Sequence, residues 1–199
     1  MFSPVRTSRA AAVLGSVLLA TLVAGPAAQA VPRLPAGCGA NGPTSPGAAA
    51  MVAAACEEVN KTTWYTWGGG HGAQPGPTFG RYDPAMPETR NDPQRFGFDC
   101  SGYTRWAYAR GAGRDFAAGG GATANWQLQH APGARFGAGQ GTGPLRPGDL
   151  VFFGSNGRAL HSAVYLGGGQ MAEAPESNKR IRVSPVSSRR GYLGAVRVL

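Results

Sequence analysis

Histidine, cysteine and acidic residues are scarce in this chain. With three histidines and three cysteines in 199 residues, no Cys/His pair falls at metal-ligand spacing, so no metal and no other cofactor is expected. Ten acids stand against nineteen cations, a net charge of +9, and such a balance favours anionic partners. Seventeen of the cations are scattered arginines with one loose cluster from Lys179 to Arg197. No nucleic-acid motif accompanies them, which argues against nucleic acid as the partner. There is no internal repeat. After residue 30 no apolar run approaches the roughly eighteen residues of a membrane span, so no stable membrane insertion is expected.

The first thirty residues have the layout of a secretory signal. Arg6 and Arg9 form a charged start, Ala10 to Ala24 are nearly all small and apolar, and Ala28-Gln29-Ala30 offers a small-x-small cleavage site. The mature chain is expected to begin at Val31, with a charge of +7 once Arg6 and Arg9 are removed. It would be exported, extracellular or wall-associated, and monomeric. Wall polymers and anionic head groups are what such a cationic surface would meet. Residues 31–45 read as a Pro/Gly-rich lead, and 46–199 as one domain. An odd cysteine in an exported chain signals a free thiol. The economical pairing is Cys38 with Cys56, leaving Cys100 free, although three cysteines allow three different single bridges.

Along the domain, helices come first and strands afterwards. Ser45 or Thr44 can cap a helix that has Pro46 in its first turn and runs to about Lys61. From Gly70 to Arg95 a proline or glycine recurs every few residues without a period, which reads as an ordered loop. A second helix spans about Cys100 to Arg110, with Asp99 as its cap and Tyr103, Trp106 and Ala107 on its buried stripe. A third is expected around Thr123 to His130, followed by loop over 131–148. "DLVFFG", "HSAVYLG", "GQMAEAP", "RIRVSPV" and "YLGAVRVL" then read as strands. This order predicts an α+β fold with N-terminal helices on a C-terminal antiparallel sheet.

Cys100 stands in the first turn of the second helix, where the helix N-terminus can hold a thiolate or an oxyanion. A base must take its proton. His130 reads as a surface or C-terminal helix residue, and His71, after three glycines, could border a groove. His161 opens an apolar strand, the rigid kind of element on which an imidazole is aimed. Glu173, twelve residues on and past Gly167 to Gly169, lies on the returning strand and can reach the far nitrogen of His161. The carboxylate is expected to raise the pKa of His161 and favour a thiolate–imidazolium pair.

"YTWGGG", "FDCSGYTRWAY", "LRPGDLVFFG", "HSAVYLGGGQMAEAP" and "RIRVSP" occur in order and register over roughly residues 46–199. Together they resemble NlpC-type cell-wall cysteine peptidases. The resemblance implies a papain-like α+β core and hydrolysis of peptidoglycan stem peptides, most often between the γ-carboxyl of D-glutamate and a diamino acid. It implies Cys100 as nucleophile and His161 as base. Glu173 falls where the family more often has a second histidine. Tyr65 matches a tyrosine bordering the nucleophile, Asp99 and Ser101 match positions that help to bind the stem, and Trp67, Gly68 and Gly69 would form a groove wall. An amidase or acyltransferase using the same pair, and a catalytically silent wall-binding module, are the alternatives.

Overall fold

The computed structural model describes residue 1 and residues 37–117 and 122–199. The expected leader, its cleavage site and the start of the lead segment lie outside the described residues. Helix α1 (Pro46–Asn60) begins where expected: the Ser45 side chain accepts from Ala48 N at 3.1 Å, and Pro46 occupies the first turn. Met51, Val52, Ala55 and Cys56 form its buried face. Cys38 is disulfide-bonded to Cys56, and Cys100 is a free cysteine. Closing this 18-residue separation removes about 3 kcal/mol of disorder from the unfolded chain. The bridge ties the lead segment to α1.

A small sheet of order β1-β3-β2 joins Trp64–Tyr65 (β1), Thr78–Phe79 (β2) and Phe96–Phe98 (β3). The segment read as loop therefore contains a strand, and also a 3₁₀ helix, Pro87–Gln94. Its order comes from distant partners rather than from periodicity. Buried Asp92 accepts from Trp67 N at 2.9 Å and from Ser177 Oγ, while its carbonyl accepts from Thr66 Oγ1 at 2.8 Å.

β3 runs directly into α2 (Cys100–Ala112), which ends at Gly113 with φ 66°, a left-handed cap that glycine adopts at little cost. Tyr103, Trp106 and Ala107 are buried as expected, and the Tyr103 hydroxyl donates to Ala55 O at 2.8 Å, locking α2 on α1. A short helix α3 (Ala124–His130) follows. The main sheet is antiparallel with order β4-β9-β5-β6-β7-β8, from Ala134–Gly137 (β4), Leu150–Ser155 (β5), Arg158–Gly167 (β6), Gln170–Glu173 (β7), Arg182–Pro185 (β8) and Tyr192–Arg197 (β9). β4 falls in a stretch read as loop. It is an edge strand with exposed residues and no apolar alternation, paired with β9 through backbone bonds.

The sheet separates two cores. Leu150, Phe152, Val164, Leu166, Ala172 and Val196 cluster with the helices, whereas Val151, Phe153, Ala163, Tyr165, Met171 and Ala195 pack together on the other side. This follows from the two-residue period of a strand. The architecture is the expected α+β one, with helices packed on an antiparallel sheet.

Candidate active site

Cys100 is the first residue of α2, a position fixed from both sides. Upstream, β3 lies parallel to β1 with Phe98 opposite Tyr65, and Asp99 N donates to Gly69 O at 3.0 Å. Asp99 caps the helix, accepting from Ser101 N at 3.0 Å and Gly102 N at 2.8 Å. Downstream, Ser162 Oγ lies 3.3 Å from the Cys100 carbonyl and 3.1 Å from Thr104 Oγ1. Gln127 donates through Nε2 to Ser101 O at 2.7 Å. These buried polar groups hold the first turn of α2 against β6 and α3. The residue next to Ser162 is His161.

His161 and Glu173 meet because of strand register. Val164 pairs with Ala172 across β6 and β7, and continuing that register sets Glu173 diagonal to His161 on one face, within reach of long side chains. His161 Nε2 is 2.9 Å from Glu173 Oε2. The ring also packs on Phe153, centroids 6.0 Å apart. Glu173 is fully buried and further neutralised by Ser184 Oγ at 2.8 Å, Arg182 Nε at 3.3 Å and Arg189 Nε. Burial opposes its charge, but the bonds from His161 and Ser184 and the Arg189 charge outweigh it and hold the carboxyl down at about 2. It is a carboxylate at any physiological pH.

The expectation for His161 needs correction. Glu173 does pull its pKa upward, yet burial outweighs that pull and the Arg189 charge adds to burial, so the net shift is down. Burial and the Asp99 charge push the Cys100 thiol up to about 12, against weaker help from the Ser162 and Ser101 backbone amides and Arg189. Both groups therefore rest neutral: thiol and imidazole rather than thiolate and imidazolium.

A second histidine–carboxylate pair lies beside Cys100. His71 Nε2 is 2.9 Å from each oxygen of Asp99 and 3.3 Å from Ser101 Oγ, which itself donates to Asp99 at 3.0 Å. The preceding glycines make this approach possible. A Cβ on Gly70 would come within 2.7 Å of the Gly102 Cα, and Gly70 has φ +85°. His71 Nδ1 is sealed without a hydrogen-bond partner among the described residues. His130, by contrast, ends α3 on the surface.

Cys100, Asp99, Ser101, His71, Trp67 and Gly68 all border one cleft, which α3 and the start of β6 complete through Asn125 and Arg158. Gly69 packs underneath, where a Cβ would collide with Thr66. Tyr65 is buried and borders an adjoining cleft with Trp67, Glu88 and Glu176. Its hydroxyl is pushed well above the usual range by burial and, less, by the Cys100 and Asp99 charges.

The sequence profile of the NlpC/P60 family matches residues 62–194. The chain belongs to the NlpC/P60 family. Peptidoglycan endopeptidase RipA of Mycobacterium tuberculosis is 36% identical over 124 residues, 61% of this chain but 21% of that protein. The chain thus spans about a fifth of the length of this relative. Among solved structures, the resuscitation promoting factor interacting protein RipA mutated at a cysteine superposes with a TM-score of 0.58 at 28% identity, covering 76% of this chain and 62% of that one. RipD of Mycobacterium tuberculosis, described as a non-catalytic NlpC/p60 domain protein adapted to peptidoglycan binding, gives 0.57 at 29%, covering 78% and 100%.

Several polar residues that support this NlpC/P60 site from behind have no motif of their own in the sequence: Thr104, Gln127, Ser162, Ser184 and Arg189. Ser162 carried a usable signal. It alternates with His161 on an otherwise apolar strand, so one of two adjacent polar side chains had to turn toward the helices. Gln127 and Arg189 carried none, because their partners are remote in sequence.

Proposed function

We propose that this chain is an exported, wall-associated peptidoglycan endopeptidase of the cysteine type, with residues 1–30 as its leader and 46–199 as one catalytic domain. The observation that carries the reading is the bond of 2.9 Å between His161 and buried Glu173, on a strand whose next residue, Ser162, reaches the carbonyl of Cys100, a free cysteine that opens a helix. Relatives support it. Besides the peptidoglycan endopeptidase RipA, solved RipA structures are of forms mutated at a cysteine, a histidine and a glutamate, and the latter two are twelve positions apart in their numbering, as His161 and Glu173 are here.

In the proposed reaction Glu173 holds the Nε2–H of His161, leaving Nδ1 to take the Cys100 proton as sulfur attacks the amide carbonyl. Neutral resting groups make this a proton transfer coupled to attack. Asp99 commits the amides of Ser101 and Gly102, so the Cys100 amide is the first-turn donor left for the oxyanion. The imidazolium then protonates the departing amine, and water activated by His161 releases the acyl group from sulfur. The bond assigned is that from the γ-carboxyl of D-glutamate to a diamino acid, reached by a cationic protein held at an anionic wall. Tyr65, Trp67, Gly68 and Ser101 are assigned to the substrate groove.

Incubation with defined muropeptides, followed by mass spectrometry, tests this. A new α-amine on the diamino acid is expected. Release of an intact stem from the sugar would assign an amidase instead, and binding without any product would put the chain with RipD-like modules.

A further inference from the structure

The arginines of this protein divide into two groups. Five of those described are paired with acids: Arg105 binds Asp115 at 2.6 Å, Arg197 binds Asp149 at 2.8 Å, Arg182 and Arg189 hold Glu173, and Arg95 lies 3.6 Å from Asp92. Of the described arginines without an acidic partner, Arg81 and Arg158 are the two at the cleft. Both are exposed, both border the cleft that contains Cys100, and neither guanidinium has an acidic partner among the described residues.

Their placement is built rather than incidental. Arg81 N donates to Trp67 O at 2.9 Å, and its side chain lies over Gly68, where a Cβ would come within 2.9 Å of Arg81 Nε. A glycine at 68 makes room for the guanidinium at the groove wall. Arg158 opens β6, three residues before His161, and the next residue is anchored by the bond from Ala159 N to Asn125 Oδ1 at 3.1 Å. Asp99 is the one acid bordering this cleft among the described residues, and its two oxygens are covered by His71. The adjoining cleft near Tyr65 has the opposite sign, with Glu88 and Glu176 and no cation among the described residues. A substrate anion is drawn to the Arg81–Arg158 side and turned away from the other.

We propose that Arg81 and Arg158 form a carboxylate subsite that selects stem peptides in which the residue donating the scissile carbonyl carries a free carboxylate. This rests on the endopeptidase reading of the same cleft. When a γ-carboxyl forms the bond to be cut, the α-carboxyl of that D-glutamate remains free, a few bonds from the carbonyl that Cys100 attacks. A planar guanidinium matches a carboxylate with two parallel N–H bonds, and amidation of that carboxyl removes both the charge and one acceptor.

The test is a matched pair of muropeptides that differ only in carrying D-glutamate or its α-amide at the second position. The wild-type protein should favour the acid by about tenfold or more in kcat/KM. Arg81→Gln and Arg158→Gln should each cut that ratio severalfold, chiefly through KM, and the double variant should bring it near one. Because the ratio is taken within one preparation, a partly folded variant does not distort it. Equal cleavage of both peptides by the wild type, or variants that slow both equally, overturns the subsite and leaves the endopeptidase reading standing. If neither peptide is cut, the endopeptidase reading fails, and calorimetry with the Cys100→Ala protein still decides the subsite: tighter binding of the acid supports it, equal binding overturns it. Inhibition by inorganic phosphate that both arginine variants relieve, with the acid-to-amide ratio unchanged, would assign the pair to a wall-polymer phosphate and also overturn it.

Discussion

Two histidine–carboxylate pairs lie near Cys100, with the same 2.9 Å contact through Nε2, and their carboxylates are engaged differently. Glu173 is fully buried, carries two arginines and a serine, and makes no backbone bond to a helix, so its hydrogen bonds serve to hold His161 and keep itself ionised. Asp99 spends Oδ1 on two helix amides and a serine hydroxyl. Its charge stands at the N-terminus of α2, where it stabilises the helix but opposes ionisation of the neighbouring thiol. The difference teaches that a histidine–carboxylate contact does not by itself identify a catalytic base. What the carboxylate is otherwise engaged with, and which ring nitrogen is left over, decide the role.

Breaking the two pairs separately should expose that difference. His161→Ala should lower turnover of a muropeptide by about four orders of magnitude, since the Nε2 of His71 is engaged by Asp99. His71→Ala should cost less than about tenfold. Comparable losses in a steady-state assay would mean that the roles of the two histidines have been exchanged or are shared.

A second separation is by acid. The Glu173 carboxyl is depressed from 4.5 to about 2 in the folded protein. A depressed carboxylate contributes stability that is present above its unfolded pKa and is lost as pH falls through the folded one, here between about 4.5 and 2. The size is about 3 kcal/mol. Thermal melts from pH 6 to pH 2 should show that loss, and Glu173→Gln should flatten it. Turnover should fall by one to two orders of magnitude in Glu173→Ala. His161 must be neutral to act and its pKa lies below 6.5, so activity rises with pH on a limb below 6.5. Without the raising contribution of Glu173 that limb should move to lower pH. An unmoved limb would assign it to another group.

The pair proposed as catalytic was legible in sequence and the second pair only in part. Cys100, His161 and Glu173 could be found because each sits at a position with its own local signature: a helix start, a strand start, and the return of a hairpin. Helix α1 and its Ser45 cap were legible for the same reason. His71 stood out only as a residue after glycines, because its partner Asp99 lies 28 positions away across an aperiodic segment. That segment read as loop because its order depends on buried Asp92 bonding to Trp67 and Ser177, which no local pattern encodes. The direction of the His161 shift departs from the sequence expectation for a related reason. The carboxylate was visible in the sequence, while the depth of burial and the approach of Arg189 were not.

The smallest expected effect isolates the charge of Asp99 from its capping role. Asparagine caps a helix about as well as aspartate, since its side-chain oxygen accepts the same amide bonds, so Asp99→Asn should leave stability within about 1 kcal/mol. Alanine would not make this separation, because it removes the cap as well. What asparagine removes is the negative charge that, after burial, is the largest cause raising the Cys100 thiol. The thiolate fraction at a given pH should therefore increase, and alkylation by a small neutral reagent at pH 8 should speed up about threefold to tenfold. His71→Ala should move the same rate the other way, because it uncovers the Asp99 charge while leaving the cap in place. Opposite shifts from two partners of one contact are the signature of an electrostatic role beside the thiol. If both substitutions slow alkylation, the pair acts by holding the shape of the groove, and the contrast between the two histidines reduces to position alone.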